Sequence, residues 1–173
     1  MLCLLSWSKT KLPWLILFSV AFALVCSALY FHHILDHRPC VKCIYQRTAM
    51  IGIALSAALP LVYMHVSTRI IGLLAWLGLS LWGLSVAQSH VELIYFDGLF
   101  MPPCPIEPNF PSFMPLHHWF PDVFSATGQC NDNTWQFMSM GMAEWMRIIF
   151  GVFTLVSAAV SLSYLIRFRQ VAK

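Results

Sequence analysis

The sequence predicts an all-α integral membrane protein, a four-transmembrane-helix antiparallel bundle with one long loop outside the bilayer. Three observations predict it. The 173-residue chain is 59% hydrophobic and only 10% charged, whereas a soluble domain runs at roughly 45–50% apolar and about 25% charged; its mean hydropathy is +0.71. Four runs, 12–35, 44–64, 69–89 and 143–166, are apolar over roughly the 20 residues a helix needs to cross a hydrocarbon core. Two of the links between them, 36–43 and 65–68, are so short that neighbouring helices must run antiparallel. Four spans leave both termini on one side, and one membrane unit over 1–173 accounts for the length.

The first run follows Lys9 and Lys11, as a signal peptide would, but it exceeds a 7–15-residue apolar core and its small residues Ala21 and Ala23 lie inside it. It reads as a retained helix. Cys26 follows Val25 rather than the small residue a lipoprotein site needs, so it is expected to pack in the core, and Cys3 is an unremarkable thiol. Basic residues favour the cytoplasm. Lys9, Lys11, Arg69, Arg167, Arg169 and Lys173 fall on one side, against Arg38, Lys42, Arg47 and Arg147 on the other. All seven acids share the second side. Both termini are therefore expected in the cytoplasm. Trp14, Tyr63 and Tyr164 suit the inner aromatic belt, and Tyr30, Tyr45, Tyr95 and Trp145 the outer one. A net charge of +3 without a basic run gives no sign of a nucleic-acid partner.

The third link, 90–142, is long, holds most of the prolines and is too aromatic to read as disordered. Within it "PLHHWFPDVF" admits two readings. Leu116, Trp119, Phe120, Val123 and Phe124 form the apolar face of a short interfacial helix limited by Pro121, or the stretch is an aromatic loop packed on the helix ends.

Cys40, Cys43, Cys104 and Cys130 fall on the side opposite the termini, which in a bacterial inner membrane is the oxidising periplasm, where paired cysteines form disulfides. Two stabilising bridges are the plainest reading, and a Cys104–Cys130 bridge would contribute roughly 3–4 kcal/mol by loop closure. A bridge between Cys40 and Cys43 constrains almost nothing. The C-x-x-C spacing instead suits a reversible dithiol. A c-type haem needs histidine where Ile44 stands, and a structural zinc site wants a second close pair. With a helix starting near Cys43, Arg47 and Met50 share its face, so a guanidinium and a helix dipole are expected to stabilise the Cys43 thiolate. Snorkelling of Arg47 to headgroups is the alternative. No dinucleotide-binding glycines are present, so the electron acceptor is expected to be small and membrane-soluble, which a quinone satisfies. His90, at the outer end of the third run, suits a hydrogen bond to a quinone carbonyl, or simply sits at headgroup level.

The stretches "PCVKCIYQR", "SHVELIY" and "FPSFMPLHHWFPDVFSATGQCNDNTWQF", in this order within a four-span layout, resemble the bacterial DsbB disulfide-bond formation family along nearly the whole chain. The resemblance implies a protein-dithiol:quinone oxidoreductase, a monomer of the bacterial inner membrane that reoxidises a DsbA-like periplasmic thiol oxidase and passes two electrons to ubiquinone or menaquinone. It implies that Cys40 and Cys43 are the quinone-proximal pair, with Cys43 engaging the ring, and that Cys104 and Cys130 face DsbA, with Cys104 attacked. Arg47 and His90 match the family's quinone-site arginine and histidine. Gln46 departs from the acidic residue expected before that arginine. The energetic demand agrees: DsbA lies near about −120 mV and structural disulfides below about −300 mV, a deficit of roughly 8 kcal/mol for two electrons that a quinone must supply. Two rivals remain: a b-type cytochrome using His32, His33, His37, His65 or His90, and a scaffold with structural disulfides.

Overall fold

In the computed structural model, residues 10–96, 104–105, 107–131 and 134–171 are described, with the side chains of 167–171 excluded. Cys3, Lys9, Asp97, Asp132 and Lys173, and the side chains of Arg167 and Arg169, lie outside this set. The longest elements are four helices, α1 (Lys11–His33), α2 (Val41–Val62), α3 (Val66–Ile94) and, after the long loop, a last helix over Met142–Val171. Lys11–His33, Val66–Ile94 and Met142–Ile166 are long and apolar enough to cross a membrane. Helix α2 falls outside that group, since Lys42, Gln46 and Arg47 occupy its first two turns.

Local chemistry sets the helix ends. Asp36 adopts a left-handed φ of 50° just beyond α1, and the His37 amide turns back to the Phe31 carbonyl. Helix α2 is capped at its start by the Cys40 sulfur and carries Pro60 in its final turn, where few further backbone bonds depend on it. At α3 the His65 ring accepts the Ser67 amide while the Thr68 hydroxyl accepts the His65 amide, so the expected 65–68 link is an N-cap. The third apolar run extends past its expected end at Ser89 to Ile94, which puts His90 on a helix and shortens the loop.

The long loop contains two single-turn helices, α4 (Leu116–Trp119) and α5 (Pro121–Phe124), and a hairpin of β1 (Gln136–Phe137) and β2 (Met140–Gly141) that leads into α6 (Met142–Val171). Pro121 divides the stretch into two single turns, so the interfacial helix, one of the two readings, does not form as one element. Its apolar face is split as well: Phe124 is buried, while Trp119 and Phe120 are over half exposed. The hairpin turn places Met138 and Ser139 at φ 52° and 64°, a two-residue turn that usually announces itself with Asn-Gly or Asp-Gly.

Helix α1 packs on α2, α2 on α3 and α3 on α6, whereas α1 and α6 are not a closely packed pair. The core joins Trp14, Ala21, Ala49, Ile53, Trp76 and Phe150. Trp14, expected at the inner aromatic belt, is 3% exposed and belongs to this core; Cys26, expected to be buried, lies on the outer face. Small residues allow the close approach on which helix association in lipid depends. A Cβ on Gly83 would overlap the Phe150 ring, so the missing side chain admits that ring to α3. Buried Ser56 and Ser80 donate to carbonyls of their own helices and leave no unpaired hydroxyl. Leu15, Ile16, Val20 and Phe22 project outwards from α1, as on a helix whose solvent is hydrocarbon.

Candidate functional site

Helix α2 begins at Val41, two residues earlier than expected, and this changes the role of each sulfur. Cys40 is the N-cap residue in extended backbone, and its Sγ accepts the Cys43 amide at 3.3 Å. Cys43 lies in the first turn with its Sγ 3.0 Å from that of Cys40. Both are free thiols at a separation from which a small displacement forms a bond. The spacing of three produces this contact, because the N-cap and N3 positions face one another across the first turn.

The buried side of Cys40 is closed by His90, whose Nε2 lies 3.6 Å from the sulfur. The other ring nitrogen, Nδ1, lies 3.5 Å from Gln46 Nε2. Lys42 donates to Ser89 Oγ at 3.0 Å and joins the same two helices close to that contact. The hydrogen bond from Cys43, then the contact with His90 and the Cys43 amide, hold the Cys40 thiol down at about 4 against burial, which pushes it up. The sequence places the stabilised thiolate on Cys43; the geometry gives the helix-terminal amide and the histidine to Cys40.

Arg47 is 6% exposed. Its Nη1 donates to the Val123 carbonyl at 2.6 Å and its Nη2 to the Ala28 carbonyl at 3.3 Å, so it bridges α1, α2 and the long loop rather than snorkelling. Its Nε is buried with no partner among the described residues. Cys43, Arg47 and Met50, expected on one face, line a mostly apolar cleft of about 100 Å³ together with Ala28, Met142 and Met146. The cleft lies between α1, α2, the start of α6 and the turn of His37, Arg38 and Pro39 that leads into α2. His90 is not among its lining residues and faces Cys40.

Cys104 and Cys130 are joined by a disulfide. Cys104 is half-buried and Cys130 is 3% exposed. Tyr45, expected only as an anchor, accepts the Asn109 amide at 2.7 Å and packs on Phe110, which in turn meets Phe124 edge-on. The loop is thus held to α2 by aromatic contacts as well as by Arg47.

Two residues here have no role assigned by the sequence. Gln46 orients His90, and its position one residue before Arg47 is the only clue to it. Gly128 packs against the backbone of Arg38, and no local pattern announces that contact. Cys40, Cys43 and His90 also form the only grouping of three metal-type donors among the described residues, within 4.8 Å of one another; a Cys40–Cys43 bond would remove two of the three. Among the described residues no second histidine joins His90 there, as a bis-histidine haem would require.

The family model described as "Disulfide bond formation protein DsbB" matches residues 10–160. Among curated relatives, a protein named disulfide bond formation protein B from Pseudoalteromonas atlantica is 37% identical over 164 residues, covering 95% of this chain and 96% of its own. Its namesake from Idiomarina loihiensis is 40% identical, with 96% and 92% covered. One from a Shewanella species is 41% identical over 144 residues, with 83% and 82% covered.

Proposed function

Because the chain belongs to the DsbB family of disulfide bond formation proteins, we propose that it is a protein-dithiol:quinone oxidoreductase of the bacterial inner membrane. In this reading four helices span the bilayer, both termini are cytoplasmic, and the long loop and all four paired cysteines face the periplasm. A DsbA-like thiol oxidase is the partner, in the kind of relay already established for bacterial periplasms. The observation that carries the proposal is the shared cleft of Cys43 and Arg47: a free thiol, an arginine and apolar walls, with a second sulfur in contact behind it.

The residues present fit a quinone. The unpartnered Arg47 Nε is a buried donor suited to a carbonyl oxygen, and the methionine-rich walls suit the edge of a flat ring. Bound there, a quinone supplies an acceptor for two electrons and two protons.

The protein's own steps follow from thiol–disulfide exchange. A partner thiolate attacks Cys104, which becomes a mixed disulfide and releases Cys130 as a thiolate. Cys130 attacks Cys40 of the oxidised Cys40–Cys43 pair; the new bond is Cys40–Cys130, and the electron pair of the broken bond leaves on Cys43, the cleft-lining sulfur. The partner's second thiol resolves the mixed disulfide and departs oxidised, freeing Cys104. Cys104 then attacks Cys130, restores the loop bridge and leaves Cys40 as a thiolate, the form that His90 and the Cys43 amide favour. The balance is one partner disulfide made and one Cys40–Cys43 dithiol left for reoxidation.

The test is oxidation of a reduced DsbA-like protein by purified protein, with and without added ubiquinone or menaquinone. Catalytic turnover that requires quinone and both cysteine pairs is expected. Bridges that stay closed in glutathione buffers and no quinone-dependent turnover would return the protein to a scaffold role. Impermeant thiol labelling of intact, reduced cells tests the topology, and protection of Cys104 and Cys130 would reverse it.

A further inference from the structure

The exchange from Cys130 to Cys40 crosses between two segments far apart in sequence, and the structure shows what joins them. The amides of Thr127 and Gly128 both donate to the Pro39 carbonyl, each at 3.0 Å. Pro39 immediately precedes Cys40, and Gly128 is two residues from Cys130. A Cβ built on Gly128 would overlap the carbonyl oxygen of Arg38, which is backbone and cannot swing aside. Only glycine admits this docking.

On the basis of the relay reading above, we infer that residues 127–128 are a backbone clip that positions Cys130 for attack on Cys40. Chain geometry gives the reason. Two residues of chain reach at most roughly 7 Å, so while the clip is closed Cys130 stays within that distance of its anchor and Cys40 is the next residue along. Released, Cys130 would search from a loop of several tens of residues, and the effective concentration of its sulfur would fall. On the side of the clip away from Cys130, apolar packing does not replace it. A polar cavity of about 590 Å³ opens against it, lined by Asp36, His37, Arg38, Thr127 and Gly128, and the nearest buried apolar anchor along the chain before it is Phe124. Cys40 and Cys130 are 2% and 3% exposed, so the clipped arrangement also shields the exchanging sulfurs from small thiols in solution. Gly128 and Thr127 are not themselves among the cleft's lining residues, although Arg38 and Pro39, on which they rest, are. They are positioning residues acting through Cys130, and a dithiothreitol-driven reaction separates an effect on the cleft from one on the sulfur.

Three readouts on the full-length protein in detergent test this. In Gly128→Ala, partner-driven kcat is expected to fall roughly 10- to 100-fold, the scale of a misplacement of about 1 Å, while KM for partner and for quinone stays within about twofold. In a Cys104→Ser/Cys130→Ser background, adding Gly128→Ala is expected to leave dithiothreitol-driven quinone reduction unchanged, because the loop sulfurs are bypassed. In a Cys43→Ser/Cys104→Ser background, oxidation by diamide forms the Cys40–Cys130 bridge directly, located by peptide mapping, and Gly128→Ala is expected to slow it by the same factor as kcat. Thr127→Pro replaces one donor N–H by a ring carbon that faces the Pro39 carbonyl, should slow both by at least about threefold, the cost of one neutral hydrogen bond, and decides the matter if Gly128→Ala fails to fold. Bridge formation at the parental rate in these variants overturns the clip while leaving the relay intact. Full partner-driven turnover in Cys130→Ser overturns the relay itself and the clip with it.

Discussion

The two cysteine pairs have opposite designs. Cys40 and Cys43 are separated by a single helical turn, with an amide, a histidine and an arginine arranged around them, and Cys40 is almost wholly enclosed. Cys104 and Cys130 are 26 residues apart, in a loop of single-turn helices whose contacts with the bundle include a few hydrogen bonds and the aromatic edge of Phe110 on Tyr45. The first pair has an environment that tunes a sulfur. The second has chain that can carry a sulfur from one partner to another. The proposed relay between a soluble protein and a membrane cleft would use both.

Removing a sulfur of the tuned pair gives the largest expected effect. Cys43→Ser should lower quinone-linked turnover by at least about three orders of magnitude, as loss of a nucleophile does, while the Cys104–Cys130 bridge still closes on non-reducing gels. Turnover within tenfold of the parent would mean the cleft sulfur is not part of the chemistry.

Arg47 comes next because it serves both regions. Arg47→Ala should raise the quinone KM about tenfold, as loss of a buried charged donor costs about 1–3 kcal/mol, and should also lower partner-driven kcat, since the Val123 carbonyl loses its anchor. Arg47→Lys should recover only part, a point charge lacking the planar fork that spans two carbonyls. An unchanged quinone KM in Arg47→Ala would separate the residue from the cleft.

The tuned pair also has a pH signature. With its folded value held at about 4 and an ordinary thiol near about 8.5, Cys40 is a thiolate when folded and a thiol when unfolded between those limits. The unfolded chain then binds the extra proton, so stability of the reduced protein rises with pH from about 4 to about 8.5 and is lost as pH falls through about 4. Thiolate absorbance of the reduced Cys104→Ser/Cys130→Ser protein should titrate with a midpoint at about 4, and His90→Ala should move it upward. An unchanged midpoint in His90→Ala would remove the histidine's role, and an ordinary thiol midpoint in the parent would remove the stabilisation by Cys43 and His90 together. Gln46→Ala, which frees the His90 ring and trims one polar corner of the cleft, should produce the smallest change, about a threefold fall in turnover for one neutral hydrogen bond.

The difference between the two regions also governs what can be read from the sequence. The bundle helices follow from apolar length, and the C-x-x-C contact follows from helical periodicity, because both depend on residues close in sequence. The expected start of α2 differs from the observed one by two residues, which is enough to assign the stabilising amide to the other sulfur. His90 is legible as a candidate but its partner is not, since the contacts with Cys40 and Gln46 depend on how α3 packs on α2. The burial of Trp14 and the exposure of Cys26 depend on helix rotation, which a helix apolar on all sides does not encode. In the loop, Pro121 is legible as a limit to the helix, but the Met138–Ser139 turn and the Gly128 contact are not. Their backbone conformation and neighbours are set by segments distant in the chain.

The central claim, that the loop pair meets the partner and the tuned pair meets the quinone, is tested most directly by trapping the first covalent intermediate. In Cys130→Ser, Cys104 has no internal partner, so it should capture a DsbA-like protein lacking its own second cysteine as a stable mixed disulfide, visible on non-reducing gels and located by peptide mapping. The account predicts a bond to Cys104. A bond to Cys40 or Cys43 would contradict it and place the two pairs at the wrong ends of the relay.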